Sequence, residues 1–284
     1  MPGVRSVTRV ISRVPAVEGA GVRLKRVFGS PDPALDPFLL LDEMGSDDPA
    51  DYIAGFPWHP HRGIETVTYL LSGVVEHGDS LGNRGVIASG DVQWMSAGSG
   101  IVHQEMPQRH EGSWLGYQLW VNLPAAEKMS EPRYREVPAA TIPEVTPAEG
   151  VRVKVIAGEV GGERGPVRDV VADPAFLDFR LAPGATFEHP VVAGHTVLAY
   201  VVAGSGRIGP AAGRPLATGQ LAVLGDGDAV SLHAGDDGMR VLLFSAQPLR
   251  EPVAWYGPIV MNTQAELETA FGELQNGTFV KHKA

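Results

Sequence analysis

From Gly63 to Pro107 the chain alternates short apolar runs with turn residues. GIETVTYLLSGVVEHGDSLGNRGVIASGDVQWMSAGSGIVHQEMP breaks at SG, HGD, GN, SGD and AGSG, a spacing of about ten residues that predicts strands joined by reversals in a small β-barrel or sandwich. Gly82–Asn83 and Ser89–Gly90–Asp91 supply reversals, because Gly and Asn tolerate positive φ and Asp bonds nearby backbone NH groups. The flanking strands are therefore expected to pair antiparallel. Upstream, DPFLLLD (36–42) is an apolar run closed by acids, and residues 43–62, EMGSDDPADYIAGFPWHPHR, read as a polar, turn-forming loop. WLGYQLWVNL (114–123) is a further strand, and the proline-rich stretch after it is the linker.

Past the linker the rhythm returns in FLDFRLAPGATFEHPVVAGHTVLAYVVAGSGRIG and LATGQLAVLGDGDAVSLHAGDDGMRVLLFSAQPL. TVTYLLSG (66–73) overlays TVLAYVVAG (196–204) at an offset of 131 residues, with Tyr69 over Tyr200 and Gly73 over Gly204. Ser89–Gly90 over Thr218–Gly219 needs a slightly different offset, hence a small indel. The chain reads as a duplication, with domains expected at 1–135 and 136–284. In the tail, Ala265, Leu267, Ala270, Phe271 and Leu274 have the spacing of one amphipathic helix over 264–275. Thr263 with Glu266 forms a capping box and Asn276–Gly277 stops the helix, which is expected to pack over a barrel face.

Composition supports short strands. There are 35 Gly and 23 Pro in 284 residues, and each costs a helix interior about 1 and 3 kcal/mol respectively. No cysteine is present, which excludes disulfides, thiolate nucleophiles and Cys-held zinc or iron–sulfur centres. Net charge is −10, from 23 Lys and Arg against 33 Asp and Glu; this opposes non-specific nucleic-acid attachment. No run reaches the roughly eighteen apolar residues of a membrane span, and the start lacks an apolar signal core. A cytoplasmic, monomeric protein is expected.

The chemistry concentrates in two segments. F-P-W-H-P-H-R puts His59 and His61 two residues apart, and H-Q-E puts His103 and Glu105 at the same spacing. Alternate residues of an extended chain share one face, so two such pairs on neighbouring strands converge as three imidazoles and one carboxylate. That set suits Fe(II), Mn, Ni, Co or Cu and leaves one or two positions open. Glu65 shares the parity of the first pair; it could reach the ion, and is expected to bond a residue that does or, failing that, to be merely hydrated at the barrel rim. His77, His110, His189, His195, His233 and His282 read as ordinary polar residues; His189 and His195 share parity, but Pro190 and Gly194 interrupt any strand between them. Phe56, Trp58, Trp94, Met95 and Met106 are candidates for an apolar mouth or for core packing, and Arg62 for a surface or loop-anchoring role.

GFPWHPHRGIETVTYLLSG through GSGIVHQEMP, with DPFLLLDE before it and EPRYRE and GPIVMNT after it, resembles the pirins, a branch of the cupin superfamily. The resemblance spans nearly the whole chain. It implies an all-β bicupin, two double-stranded β-helix (jelly-roll) barrels in tandem with a C-terminal helix, in which the N-terminal barrel holds the metal. The family ligands fall on His59, His61, His103 and Glu105, with Glu105 favoured over Glu65 as the acid. The offset of 131 places Pro190 and Val192 over His59 and His61, so the second barrel is expected to be metal-free. Bacterial pirin-like proteins are associated with quercetin 2,3-dioxygenase activity, which implies a small aromatic substrate, O2, and Fe(II), with Ni, Mn, Cu, Co or Zn as alternatives. Glu105 is then the acid–base candidate. The competing expectation is a metal-dependent partner of transcription factors without catalysis; a third, a sugar or small-acid enzyme, needs Arg or Lys groups in the pocket.

Overall fold

The computed structural model describes residues 3–210 and 213–282. The first strands are β1 (Val7–Ser12), β2 (Val14–Glu18), β3 (Val22–Phe28), β4 (Phe38–Ser46), β5 (Phe56–His61) and β6 (Ile64–Ser72). Then come β7 (Val74–Asp79), β8 (Arg84–Ala88), β9 (Val92–Ser96), β10 (Ile101–Pro107), β11 (Trp114–Asn122) and β12 (Arg133–Val137). The second half holds β13 (Glu144–Ala148), β14 (Val151–Ala157), the short pair β15 (Glu159–Val160) and β16 (Glu163–Arg164), β17 (Ala175–Leu181) and β18 (Thr186–Pro190). It continues with β19 (Thr196–Ile208), β20 (Arg214–Ala217), β21 (Gln220–Leu224), β22 (Ala229–Ala246), β23 (Ala254–Tyr256), β24 (Ile259–Met261) and helix α1 (Gln264–Gln275). Among the described residues no helix is long and apolar enough to cross a membrane.

The two halves share one topology. The first has a sheet ordered β12-β9-β6-β11-β4-β3-β2 beside a second ordered β5-β10-β7-β8. The other half repeats the long path as β1-β21-β19-β22-β17-β14-β13. Its β19 and β22 are long enough to run on into the short path, where β18 pairs β22, β22 pairs the far half of β19, and β19 pairs β20. The registers agree as well: Tyr69 pairs with Val92 and Tyr200 with Leu221. One strand is thus displaced by 131 residues and its neighbour by 129, which accounts for the indel.

The division into compact units departs from a single cut after residue 135. One unit comprises residues 14–31, 38–139 and 249–284; the other comprises 1–13, 32–37 and 140–248. The reason is strand pairing. β12 completes the first long sheet by pairing β9, and the equivalent edge of the second is completed by β1, from the N-terminus, pairing β21. The tail belongs with the first barrel: α1 buries Leu267 and Ala270 against Ile259, Met261 and Phe279. Its capping box forms as expected, with Thr263 Oγ1 accepting from Glu266 N at 3.2 Å and Glu266 Oε2 accepting from Thr263 N at 2.8 Å.

Alternation decides what faces inward. β10 reads buried, half-buried, buried along its whole length, so Ile101, His103, Glu105 and Pro107 point one way and Val102, Gln104 and Met106 the other. The segment read as a loop over 43–62 is instead the end of β4 and all of β5, separated by one short 3-10 turn; its prolines and polar residues suit an edge strand, and β5 is paired on one side only. Gly63, at φ +77°, reverses the chain into β6, and a Cβ there would collide with the Val260 carbonyl oxygen.

Candidate metal centre

His59 stands opposite His103, and His61 opposite Ile101, in the β5–β10 ladder. The ligand atoms of His59, His61 and His103 lie within 4.8 Å of one another, and His59 Nε2 is 3.1 Å from His61 Nε2. His61 and His103 are buried. Burial pushes the His61 imidazole down to about 3 and that of His103 well below its ordinary value, so both are neutral at pH 7, the form that binds metals.

The tautomers follow from the outer partners. His59 Nδ1 is 2.8 Å from the Pro57 carbonyl and His61 Nδ1 is 3.1 Å from the Pro258 carbonyl. A carbonyl only accepts, so each Nδ1 carries a hydrogen, and in the neutral, metal-binding form of each ring Nε2 is left with a bare lone pair. Two lone pairs 3.1 Å apart repel. His103, fully buried, has no hydrogen-bond partner at either nitrogen among the described residues, which carries a desolvation penalty. A divalent cation removes both costs, and the three imidazoles form a metal-binding site.

Glu105 is placed on the same wall, outside that cluster. A bulge between His103 and Glu105 sets it opposite Phe56, and Thr68 Oγ1 lies 2.7 Å from its Oε1. Glu65 does not reach the histidines. The turn at Gly63 carries it onto β6, where Trp94 Nε1 donates to it at 2.9 Å and Ser96 Oγ at 2.5 Å; burial raises its pKa. The parity shared with His59 and His61 was lost because the strand ends between them.

Arg62 is buried, which departs from a surface placement and fits an anchor. It donates from Nε to the Ser99 carbonyl at 2.7 Å and from one terminal nitrogen to Glu273 at 2.6 Å and the Phe279 carbonyl at 3.0 Å, with the guanidinium 4.2 Å from the Phe279 ring centre. Lys128 Nζ donates to Gly63 O, Asn122 Oδ1 and Val260 O at 2.7–3.0 Å; burial lowers its pKa to about 7, and the three acceptors favour the charged form. Both cations hold the tail whose Pro258 carbonyl orients His61. Arg62→Met is expected to cost roughly 2–5 kcal/mol, chiefly from the Ser99 and Phe279 carbonyls left unmatched in the interior, while Glu273 keeps Lys281 at 2.7 Å. Denaturant unfolding within 1 kcal/mol of wild type, on the scale of an ordinary surface substitution, would refute this.

A cavity of about 590 Å³ opens beside His59, His61 and Glu105, bounded on its apolar side by Phe56, Trp120 and Trp255 among others and on its polar side by Arg26, Asp42 and Gln118. Of the suggested mouth residues only Phe56 lines it. Trp58 is half exposed, Trp94 is bonded to Glu65 and Met95 is core. Trp120 and Gln118 share a face of β11, a signal available in the sequence as alternate residues of QLW; Trp255 comes from the tail and had none. His77, read as ordinary, lies in the same neighbourhood: it stacks on Tyr134, its ring centre is 5.4 Å from that of His103, and Nε2 is 3.6 Å from Asp79 Oδ2. His77 and Asp79 have the same two-residue spacing as the ligand pairs.

Residues 21–121 match the family Pirin, and residues 176–280 match the Pirin C-terminal cupin domain. The chain belongs to the pirin family. A pirin-like protein of Caulobacter vibrioides is 44% identical, covering 97% of this chain and 99% of its own. A crystal structure of quercetin 2,3-dioxygenase from Acinetobacter baumannii superposes with TM-score 0.90 at 34% identity, covering 98% and 99% of the two chains. The bacterial pirin YhhW from Escherichia coli in complex with nickel(II) is 28% identical with TM-score 0.64, covering 87% of this chain and all of that one.

In this pirin the ladders correct the overlay of the ligand positions. Ile208 stands at the place of His77 and faces Leu232 as His77 faces Glu105, so His103 opposite His59 and Val102 opposite Pro60 are matched by Val230 opposite His189 and Ala229 opposite Pro190. The equivalents of His59 and His61 are therefore His189 and Val191, not Pro190 and Val192. His189 packs among Phe179 and Phe187, and burial lowers its pKa to about 4; His195 turns instead to Ser245, 3.3 Å away.

Proposed function

We propose that the chain is a metal-dependent dioxygenase that opens the central ring of a flavonol, consuming O2 and releasing carbon monoxide and a depside. The observation that carries this reading is the 590 Å³ cavity with aromatic walls that ends on His59, His61 and Glu105. It is of the size and apolar character of small-molecule sites, and it sits on the one cluster of three metal-ligating side chains among the described residues. The relative from Acinetobacter baumannii, which bears the name of this activity, supports it.

His59, His61 and His103 would hold the ion, with Glu105 as the fourth ligand; Fe(II) is the metal assigned, and the nickel-bound relative makes Ni(II) the next. The ion supplies Lewis acidity toward the flavonol 3-oxygen and access to O2 chemistry. The rest is the work of the chain. Trp120 and Trp255, with ring centres 5.8 Å apart, offer flat surfaces for a planar ligand, and Trp120 also packs edge-on against His61 at 5.0 Å, which places a stacked ring beside the histidines. The apolar wall excludes water around the reacting ring. Glu105 accepts the 3-hydroxyl proton; with Thr68 at Oε1, the receiving atom is Oε2, the oxygen that would also ligate the ion, so the carboxylate must loosen from the ion to take the proton.

The test is anaerobic purification with metal analysis, followed by quercetin turnover in which O2 uptake and carbon monoxide release are measured together. One carbon monoxide per O2 is expected. Metal-loaded protein that yields neither would overturn the assignment.

A further inference from the structure

The duplication provides an internal reference for the interior of the first barrel. Arg26 stands opposite Asp42, Asp42 opposite Gln118, Gln118 opposite Thr68 and Thr68 opposite Gln93, one residue from each of five adjacent strands. The same walk through the second barrel meets Val155, Leu177, Leu243, Ala199 and Ala222, all packed in its apolar core. A row of polar side chains thus replaces a row of apolar ones, place for place. The second barrel shows that apolar residues build this sheet, and buried polar groups cost stability unless matched. The row is not demanded by the fold.

We propose that Arg26, Asp42 and Gln118 form a second anchoring subsite of the cavity, which binds neutral hydroxyl groups of the substrate other than the one held at the histidines. All three line the cavity. The guanidinium is already committed: Nε and one terminal nitrogen donate to the two Asp42 oxygens at 2.9 and 2.7 Å, and the other terminal nitrogen is 2.9 Å from Glu18. One cation among two carboxylates leaves the group net negative, so it does not recruit a carboxylate or phosphate, and this disfavours a small-acid substrate. What remains on the carboxylates are lone pairs, which accept.

Gln118 adds another acceptor. Thr68 Oγ1 lies 2.7 Å from Glu105 Oε1 and 2.8 Å from the Gln118 side-chain amide. One hydroxyl has one proton, and a carboxylate can only accept it. Gln118 must then donate its NH2 to Thr68, which leaves its carbonyl oxygen, in a residue that lines the cavity, to accept from a ligand; amide oxygen and nitrogen exchange places by a simple rotation. Acceptors facing an apolar slot select hydroxyl donors, and a ligand without them leaves these groups unmatched.

The inference rests on the flavonol reading for the choice of ligand, and its test is separable from turnover. Binding is measured without O2, by quenching of tryptophan fluorescence in the metal-loaded protein. The ligands are quercetin, 3-hydroxyflavone, which lacks the other hydroxyls, and the quercetin ether methylated at every hydroxyl except position 3. Wild type is expected to bind quercetin at least about tenfold more tightly than either comparator. In Gln118→Leu, which installs the second barrel's residue, and in Thr68→Val, which frees the Gln118 amide, both ratios are expected to shrink several-fold. Equal binding of the three ligands by wild type, or ratios unchanged in both folded variants, overturns the subsite. Preference without carbon monoxide would refute the dioxygenase and leave the subsite standing; carbon monoxide without preference would do the reverse.

Discussion

His103→Leu is expected to abolish metal binding while raising the stability of the metal-free protein. His103 is fully buried with both ring nitrogens unmatched among the described residues, and in the absence of an ion it contributes only a desolvation penalty of about 1–3 kcal/mol. An aliphatic residue, Val230, occupies the equivalent place in the second barrel's packed core, so an apolar side chain is compatible with this strand. Losing an outer partner of a ligand typically costs about 10–100-fold in affinity; losing the ligand itself is expected to exceed a hundredfold. Wild type should gain thermal stability on metal addition, because the ion binds only the folded state, and the variant should not. Equal metal content after dialysis, or a melting temperature that still rises with metal, would show that the centre lies elsewhere.

Glu105→Gln should separate proton transfer from metal holding. The amide retains an oxygen for Thr68, now 2.7 Å from Oε1, so the local packing survives, while the proton-accepting atom is gone. Turnover is expected to fall by about 10²–10⁴-fold, the usual share of a positioned base, with at most a modest loss of metal at saturating concentration, since three imidazoles remain. The measurement is kcat alongside metal content on the same sample. A drop in kcat that only tracks metal loss assigns Glu105 to charge balance and ligation alone; an unchanged kcat removes it from the reaction.

The strands, the duplication, the capped helix and the three histidines were legible because each depends on local regularities. Alternation sets which side chains share a face of β10, and Gly at a positive φ marks where β5 turns into β6. Glu65 shows the limit of such reasoning: its parity with His61 held only while the strand continued, and Gly63 ended it. Arg62 shows another. Nothing next to it in sequence reveals Glu273 or Phe279, which arrive some two hundred residues later.

By itself, the amino-acid order determined the β architecture, the two-residue spacing of His59 with His61 and of His103 with Glu105, and the asymmetry between the halves. Only the tertiary structure decided that β1 completes the second barrel, that the tail belongs to the first, and that Pro258, Trp255, Arg26, Asp42 and Gln118 surround the histidines. The physical reason is that cross-strand register and long-range hydrogen bonds join residues whose separation carries no period. A row of polar groups one residue deep on five strands becomes visible only when the strands are laid side by side.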